Sequence, residues 1–495
     1  MTPQHLRMAS LPRILAGTWL LALTGCAIQV ASPERQGGLQ PQAPAWTLRT
    51  PDPSNAPSIS PDAVPSGWWD LFNDPLLPAL QAQALSGNLD VQAALLRIEE
   101  GRARLGMTES TGQPHLNFDA GYARSSISAD SPLAKLHVPT TPYDQWQWGG
   151  QASWELDLWG HHAQQTAAAR AQLEATEWAA SALRVTLAAE VARHYLMLRG
   201  VQAQQALVAE HQQIAAALLR LTDSRERNGM ATRFDAAAAR AELATVEARA
   251  IQLSQQADGL RNTLALLLGE APHQLDERLG VVSVFLPAPS GLPVGLPSDL
   301  ARQRPDILQA EALLRAATAD KGAAQADFYP RISLNAGLSI ATSHTSELGN
   351  WDMSQFSVGP VVHLPIFDGG MLRRTLALTD ARQRAAAIAW RQAVLKAWHE
   401  VSTALDACAS EQARQARQAE AVAHSRVALD SARNAWRAGS ADFTTVLVAQ
   451  RSLLNAESAL ADTTTAASLA VVSLYRSLGG GNQAPVAKQV AEARP

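Results

Sequence analysis

The chain has 495 residues, of which 47% are hydrophobic and 17% are charged, and its formal net charge is −4. That charge argues against a strongly basic nucleic-acid-binding protein. Beyond the first 25 residues no segment has the long uncharged apolar run that a transmembrane helix requires, so any membrane crossing would have to use strands.

The N-terminal residues 1–25 have the features of an export signal, with a basic start followed by an apolar stretch. Small residues then precede Cys26, as they do where a bacterial lipoprotein is cut and lipidated. An ordinary secretory leader is the alternative. The only other cysteine is Cys408, so Cys26 has no obvious disulfide role, and we predict that it carries a diacylglyceryl group and palmitate. Residue 27 is Ala and not the aspartate that would retain such a lipoprotein at the inner membrane, so we expect the protein at the outer membrane.

Proline-rich segments separate this signal from the body and divide the body in two. Residues 26–66 are rich in Pro, Ser, Gln and Ala, which predicts an extended leash between the lipid and the folded protein. Residues 271–304 form a second proline-rich crossing, and residues 482–495 are expected to be a C-terminal tail.

The body is duplicated. The recurring residues are Asp90 and Asp306, Pro114 and Pro330, Glu190 and Glu400, and Gly229 and Gly439. The spacing is 216 residues for the first two pairs and 210 residues for the last two, and the change falls inside a predicted hairpin. The duplication predicts two copies of one unit, 67–270 and 305–481, each with a helix, two strands and two long helices.

Four segments alternate between apolar and polar side chains, as strands with one dry and one wet face do. The predicted strands are about 115–124, 145–158, 331–340 and 355–366. A soluble antiparallel sheet is the commoner meaning of this pattern. The strand length and the aromatic residues nevertheless suit tilted membrane strands with an interfacial girdle. The predicted girdle residues are Tyr122, Trp146, Trp148, Trp154 and Trp159.

The number of strands has a consequence for assembly. Four strands cannot close a barrel, and an open strand edge cannot lie in lipid with its amides unpaired. If these strands cross a membrane, several chains must share one barrel around a water-filled lumen. Three chains would supply 12 strands, although backbone hydrogen bonding alone does not fix that number.

Each copy continues without proline into two predicted helices, at 161–227 and 231–268 and at 371–437 and 441–478. The first helix of each pair has about 67 residues, or roughly 100 Å at 1.5 Å per residue, which implies a coiled coil or a spanning tube. The helix at 231–268 carries a heptad stripe, which predicts a left-handed seam. The stripe residues are Leu243, Val246, Ala250, Leu253, Ala257, Leu260, Leu264 and Leu267. Cys408 lies on an apolar stripe and is expected to be a small buried hydrophobe.

Several short motifs occur in order along the duplication. They are Trp68-Trp69, Asp74-Pro75, Trp154-Glu155-Leu156-Asp157-Leu158-Trp159-Gly160, Arg304-Pro305-Asp306-Ile307, Phe328-Tyr329-Pro330, Pro365-Ile366-Phe367-Asp368-Gly369-Gly370 and Gly479-Gly480-Gly481. Each motif is weak alone, but as an ordered set they resemble the TolC-like outer-membrane factors, in the lipoprotein branch that serves multidrug efflux pumps. The resemblance covers almost the whole mature chain.

The resemblance implies a mixed α/β membrane protein that assembles as a homotrimer. Its 12 strands would form an outer-membrane β-barrel that continues into a periplasmic tunnel of coiled-coil helices, with the chain ends and the 271–304 crossing as an equatorial belt. It also implies a non-enzymatic exit duct of a tripartite pump that passes small molecules such as drugs. No cofactor is expected besides the lipid on Cys26. The expected partners are a periplasmic adaptor, an inner-membrane pump and outer-membrane lipid, and not nucleic acid.

The same resemblance identifies contact and gate residues. Adaptor contacts are expected at the two helix turns, at Gly229, Met230, Gly439 and Ser440. The expected gate residues are Arg437, Asp442, Thr444, Val448 and Arg451. Val448 stands where the family has a ring of aspartates, which predicts an uncharged constriction with weak divalent-cation block. Asp442 is a nearby alternative source of charge.

Other classes are less consistent with the sequence. His161-His162 and His399-Glu400 suggest a metal site or half of a zinc-protease motif, but adjacent histidines face different sides of a helix and Thr403 stands where the motif needs a histidine. A lipid-anchored coiled-coil stalk explains the heptads and the leash but not the four alternating strands. Within the channel class, a duct for polypeptide secretion is the alternative role.

Overall fold

The computed structural model describes residues 58–128, 130–132, 136, 140–280, 288–289, 291–295 and 303–481. The predicted export signal, Cys26, most of the leash and the C-terminal tail lie outside the described residues. The chain divides into a strand unit, which contains Gly101–Leu173 and Leu313–Ala387, and a helical unit, which contains the rest of the described residues. Within the described ranges, no helix combines the length and apolar character needed to cross a membrane.

The elements follow the duplication. In chain order they are β1 (Ser58–Ser60), a 3-10 helix (Trp68–Phe72), α1 (Leu76–Gly87), α2 (Leu89–Thr111), β2 (His115–Ser125), β3 (Tyr143–Leu156), α3 (His161–Arg227), α4 (Arg233–Leu268), β4 (Gly291–Pro293), α5 (Pro305–Ala326), β5 (Arg331–Thr342), two 3-10 turns (Thr345–Glu347 and Trp351–Met353), β6 (Ser354–His363), α6 (Met371–Arg437) and α7 (Phe443–Ser477). Helices α3 and α6 have the predicted bounds. Helices α4 and α7 begin two residues later than expected, because Thr232 and Asp442 occupy their N-cap positions.

The single helix expected at the start of the first copy is instead a 3-10 helix and two α-helices. Asn88 interrupts them with an extended backbone, at φ −68° and ψ 126°. Its side-chain oxygen accepts hydrogen bonds from the Asp90 and Val91 amides at 2.9 and 3.1 Å, so it caps the start of α2. A short polar side chain that caps a helix thus ends the continuous helix that the sequence pattern suggested.

The strand unit contains one four-stranded antiparallel sheet in the order β2-β3-β5-β6. The two predicted hairpins are therefore joined through β3 and β5. The predicted strands 145–158 and 355–366 extended too far, since β3 ends at Leu156 and β6 at His363. The partner strand sets both ends: β5 starts at Arg331, which lies opposite His363, and the next residue, Ile332, lies opposite Leu156.

The predicted leash needs a correction at its end. Ser58–Ser60 forms β1, which pairs in parallel with β4 in the proline-rich crossing. The Val294 amide donates to the Ser60 carbonyl at 3.0 Å, and Leu292 is buried. The pairing of β1 with β4 therefore provides hydrogen-bond partners for backbone groups in both proline-rich segments.

The core of the helical unit lies where the first 3-10 helix and α1 pack against the long helices. Trp68 stacks on Tyr475 with ring centroids 5.4 Å apart. Of the α4 stripe, Val246, Leu253, Ala257 and Leu264 are buried and the other members are partly buried. The expectation for Cys408 is confirmed, since it is 1% exposed and burial raises the pKa of its thiol to about 12.

Candidate functional site

The first helix turn, between α3 and α4, is closed by its own backbone. Gly229 has φ of 71°, in the region that favours glycine, and the Met230 amide donates to the Arg225 carbonyl at 2.8 Å. Thr232 and Asp235 form a capping box at the start of α4. Hydrogen bonds within the chain thus satisfy backbone groups on both sides of the turn.

The second turn, between α6 and α7, repeats this geometry. Gly439 has φ of 77°, and the Ser440 amide donates to the Ala435 carbonyl at 2.9 Å. Asp442 occupies the N-cap of α7, but its exposed side chain makes no capping hydrogen bond. The two helix turns, which we call the tips, therefore have the same backbone geometry, but only the first has a side-chain capping hydrogen bond.

The two tips also differ in the side chains they expose. Met230 and Phe234 at the first tip are each 67% exposed. The residues 210 positions later, Ser440 and Thr444, are exposed as well but polar. One tip therefore presents apolar surface and the other presents polar surface on similar backbones.

Aromatic side chains connect the ends of the two copies. The Arg225 guanidinium at the end of α3 lies over the Trp436 ring, 4.7 Å from its centroid. Trp436 lies 5.5 Å from the Phe443 ring, and Phe443 belongs to a buried cluster with Ala239 of α4 and Leu447 of α7. Sequence reasoning missed these contacts, because nothing in either helix pattern identifies its partner.

The predicted gate residues of α7 share one face. Thr444, Val448 and Arg451 are exposed at helical spacing, while the opposite face buries Val446 and Leu453. Val448 is 63% exposed, which is high for an apolar side chain on a helix that packs along its other side. The structure thus brings together three of the five predicted gate residues.

The remaining gate predictions are distributed differently. Arg437 donates to Asn434 Oδ1 on its own helix at 3.2 Å, and Asp442 lies at the N-cap rather than on the Val448 face. Arg451 donates to the Glu242 carboxylate of α4, whose side chain is only 9% exposed. Glu242 escaped prediction, although it directly precedes the stripe residue Leu243, a position where coiled coils commonly form interhelical ion pairs.

A second polar contact lies farther along α7. His211 Nε2 of α3 lies 3.0 Å from Glu457 Oε2, and Arg426 of α6 donates to Glu457 Oε1 at 2.8 Å. Burial by itself would raise the pKa of the Glu457 carboxyl, but the hydrogen bonds from His211 and Arg426 outweigh it and lower that pKa. Arg426 and Glu457 also line a cavity of about 700 Å³ with small side chains such as Ala203 and Ala416.

The predicted girdle lies mostly on the apolar face of the sheet. The Tyr122 and Trp146 rings lie 4.5 Å apart on neighbouring strands, and Trp148 packs near Phe118. Trp154 Nε1 donates to the Gly112 carbonyl at 3.1 Å. Two aromatic pairs, Tyr122 with Trp146 and Phe118 with Trp148, thus lie across the first hairpin.

Trp159 has a separate position, after the end of β3. Its ring stacks on Tyr329 at 5.0 Å, and its Nε1 donates to the Pro330 carbonyl at 2.8 Å. Trp159 therefore connects the segment before α3 in the first copy with the segment after α5 in the second.

The paired histidines contact different carboxylates. His161 Nδ1 lies 2.9 Å from Asp327 Oδ1, and His162 Nε2 lies 3.5 Å from Glu155 Oε1. Across the part of the chain that the structure describes, no group of three or more His, Cys, Asp or Glu side chains is arranged to hold a metal ion.

Comparison with known proteins gives consistent matches over most of the chain. A family model for outer membrane efflux proteins matches residues 80–270 and 296–480. The chain is 31% identical over 468 residues to the cation efflux system protein CusC of Escherichia coli O6:H1, covering 94% of this chain and 97% of CusC. It is 28% identical over 483 residues to the probable outer membrane lipoprotein SilC of Salmonella typhimurium, covering 95% and 98%. A solved structure of the outer-membrane channel OprN matches with a TM-score of 0.81 at 31% identity, covering 92% of this chain and 99% of that one.

Proposed function

The chain belongs to the outer membrane efflux protein family, and on that basis we propose that it works as the trimeric exit duct of a tripartite pump. It is an outer-membrane efflux channel, like the proteins and solved structures that it resembles.

The observation that carries the proposal is the pair of open edges of the sheet. Strands β2 and β6 are the outer strands of the four, and each has one side without a strand partner among the described residues. Both expose large apolar side chains, Phe118 at 69% and Phe356 at 82%. Such edges cannot lie in lipid with unpaired amides, so the sheet is completed by further copies.

The size of the lumen favours three copies. Two chains would close a barrel of about eight strands, whose interior is just wide enough for side chains to fill it. Three chains supply about 12 strands and leave a water-filled interior, which a duct requires. The helices of the helical unit then form the periplasmic tunnel.

The anchor and the partners complete the proposed assembly. A lipid on Cys26 adds a tether to the outer membrane, and the shared barrel crosses that membrane. At the tips, Met230 and Phe234 offer the apolar surface to which a periplasmic adaptor docks. The adaptor links the duct to an inner-membrane pump, which supplies the energy, so the duct itself needs no cofactor and no catalytic residues.

The gate is an uncharged constriction. Three copies of Val448, exposed on the same face of α7 as Thr444, form an apolar ring, and Arg451 is neutralised by Glu242 of the same chain. An apolar ring restricts ions by dewetting rather than by charge. Small molecules delivered by the pump are the proposed cargo. The name of CusC, a cation efflux system protein, describes that relative and does not assign a cargo to this chain.

A direct test uses the purified full chain and a variant with Cys26→Ser. We expect both to need detergent, to have the mass of a trimer by light scattering, and to conduct ions in a planar bilayer. A Cys26→Ser chain that is monomeric and soluble without detergent, and that never conducts, would overturn the proposal.

A further inference from the structure

The cavity that Arg426 and Glu457 line is a groove within the helical unit. Helices α3, α6 and α7 of one chain all contribute to it. Ala461 of α7 is buried at the groove, whereas Ala206 of α3 and Ala419 of α6 are exposed along it. Its volume of about 700 Å³ lies within the range of pockets that hold small organic molecules.

The groove is polar at both ends and apolar between them. At one end, Gln415 Nε2 donates to Thr464 Oγ1 at 2.9 Å. The carboxylates of Glu210 and Glu457 lie at the other end, because the residue after Glu210 is His211, whose ring contacts Glu457. Thr464 and Glu457 are seven residues apart on α7, or about 10 Å at 1.5 Å per residue. The groove therefore fits an elongated molecule with an apolar body and polar ends.

One carboxylate of the groove has no partner. Arg426 donates to Glu457 Oε1 through Nε at 3.1 Å and through Nη2 at 2.8 Å, so its guanidinium is committed to that residue. Glu210 is exposed and makes no hydrogen bond or ion pair within the described ranges. The two carboxylates and the guanidinium give the groove a formal charge of −1, and the excess negative charge lies on Glu210.

The duplication shows that the missing partner is particular to the first copy. Glu420 is the counterpart of Glu210, 210 residues later, and Arg417 Nη1 donates to both of its carboxylate oxygens at 3.1 Å. The counterpart of Arg417 is Leu207, which lines the groove. The first copy therefore has an apolar lining residue in place of the arginine that neutralises the equivalent carboxylate.

We propose that this groove is a binding site for an amphiphilic organic cation. Its cationic group lies at Glu210, where the unpaired carboxylate attracts it. Its apolar body lies along Leu207 and Ala419 over Ala461, and a polar group at its other end bonds with Gln415. An anion would be repelled by Glu210. A metal ion fits less well, because no group of three or more His, Cys, Asp or Glu side chains in the described residues is arranged to hold one.

The bound molecule would connect the two copies of the duplicated unit. Leu207 and Glu210 belong to α3 of the first copy, whereas Ala419 and Ala461 belong to α6 and α7 of the second. A ligand that binds the packed helices and not the separated ones stabilises their packing. The inference goes beyond the proposed exit duct, since the groove lies within one chain and requires neither the barrel nor the gate.

Binding is measured on the purified full chain in detergent, with protein-free micelles as the background. The probe is ethidium, a rigid aromatic cation whose fluorescence rises when it leaves water. We expect saturable binding of one ethidium per chain. Glu210→Gln should weaken it about three- to fivefold, as the loss of one partly exposed ion pair does. Glu420→Gln, the same change at the duplicated and already paired carboxylate, should leave the affinity unchanged.

A second pair of variants tests the apolar part of the groove. Ala419→Leu fills space that the ligand body would occupy, so ethidium affinity should fall at least about tenfold. Ala421→Leu is the control, because Ala421 is exposed on the opposite side of α6 and does not line the groove. Leucine is a strong helix former, so both variants should keep the helix, and circular dichroism checks this.

Failure of either test variant to weaken ethidium binding more than its own control would overturn the site, as would a lack of saturable binding to the unmodified chain. Conductance in planar bilayers is measured separately on the same preparation. A chain that conducts ions but does not bind ethidium overturns the site and leaves the proposed duct. A chain that binds ethidium as expected but never conducts overturns the duct and leaves the site.

Discussion

Arg451 of α7 donates a hydrogen bond to Glu242 of α4, so a proposed gate residue of the second copy is held by a buried carboxylate of the first. Arg451 itself is 64% exposed, while Glu242 is 9% exposed. The two partners of this ion pair therefore differ in what their removal costs. Removing the partner of a buried charged group costs more free energy than removing the partner of a group that stays in solvent.

The first prediction concerns this pair. Arg451→Ala leaves the buried Glu242 carboxylate unpaired at a cost of about 1–3 kcal/mol, so α7 should loosen and the closed-state conductance in bilayers should rise. Glu242→Gln leaves only a solvated arginine and should have a smaller effect. The double variant should leak less than Arg451→Ala alone. Equal leaks from Arg451→Ala and the double variant would show that the buried charge is unimportant.

The second prediction concerns the constriction. Val448→Asp would create a ring of three carboxylates in the proposed trimer, which should bind divalent cations. We expect magnesium to reduce the conductance of Val448→Asp strongly and that of the unmodified channel only weakly. Val448→Thr, which has a similar shape and no charge, is the control. Strong magnesium block of the unmodified channel would point instead to Asp442 as the charge at the gate.

The third prediction concerns adaptor docking. Changing Met230→Ser and Phe234→Thr gives the first tip the side chains of the second. Burying a large apolar side chain contributes about 1.5–3 kcal/mol, so adaptor affinity should fall by about tenfold or more. Ile251→Thr is the matched control, since Ile251 is 74% exposed on the same helix but away from the tip. Affinity is measured by surface binding of the purified adaptor, and an unchanged value would exclude the apolar tip as its docking surface.

The fourth prediction concerns pH. The folded state lowers the pKa of Glu457 from its ordinary value of 4.5, so this carboxylate stabilises the fold above about pH 4.5. That stabilisation is lost as the pH falls through the lower folded value. Hydrogen exchange of α7 amides should be faster in Glu457→Gln than in the unmodified chain at neutral pH, and the difference should shrink below about pH 4.5.

The control for this experiment is Glu420→Gln, because the Glu420 side chain is 59% exposed. It should show no difference from the unmodified chain at any pH. A Glu457→Gln effect that keeps its size at about pH 3 would mean that packing, and not the charge, is responsible.

Sequence patterns were most successful along single helices. The bounds of α3 and α6 follow from long proline-free runs and from Gly229 and Gly439 within them, where a left-handed residue ends the helix. The ends of β3 and β6 were less predictable. Alternation continues past His363, but pairing stops there because the partner strand β5 does not extend further.

The sequence by itself determined the duplication, the long helices and the apolar and polar faces of the strands, because these are periodic properties of neighbouring residues. Only the tertiary structure decided which elements meet: β3 with β5, β1 with β4, and Arg451 with Glu242, 209 residues apart. Periodicity shows that a face will be covered, but many faces in one chain are equally apolar. The choice among them depends on how all the helices and strands pack at once.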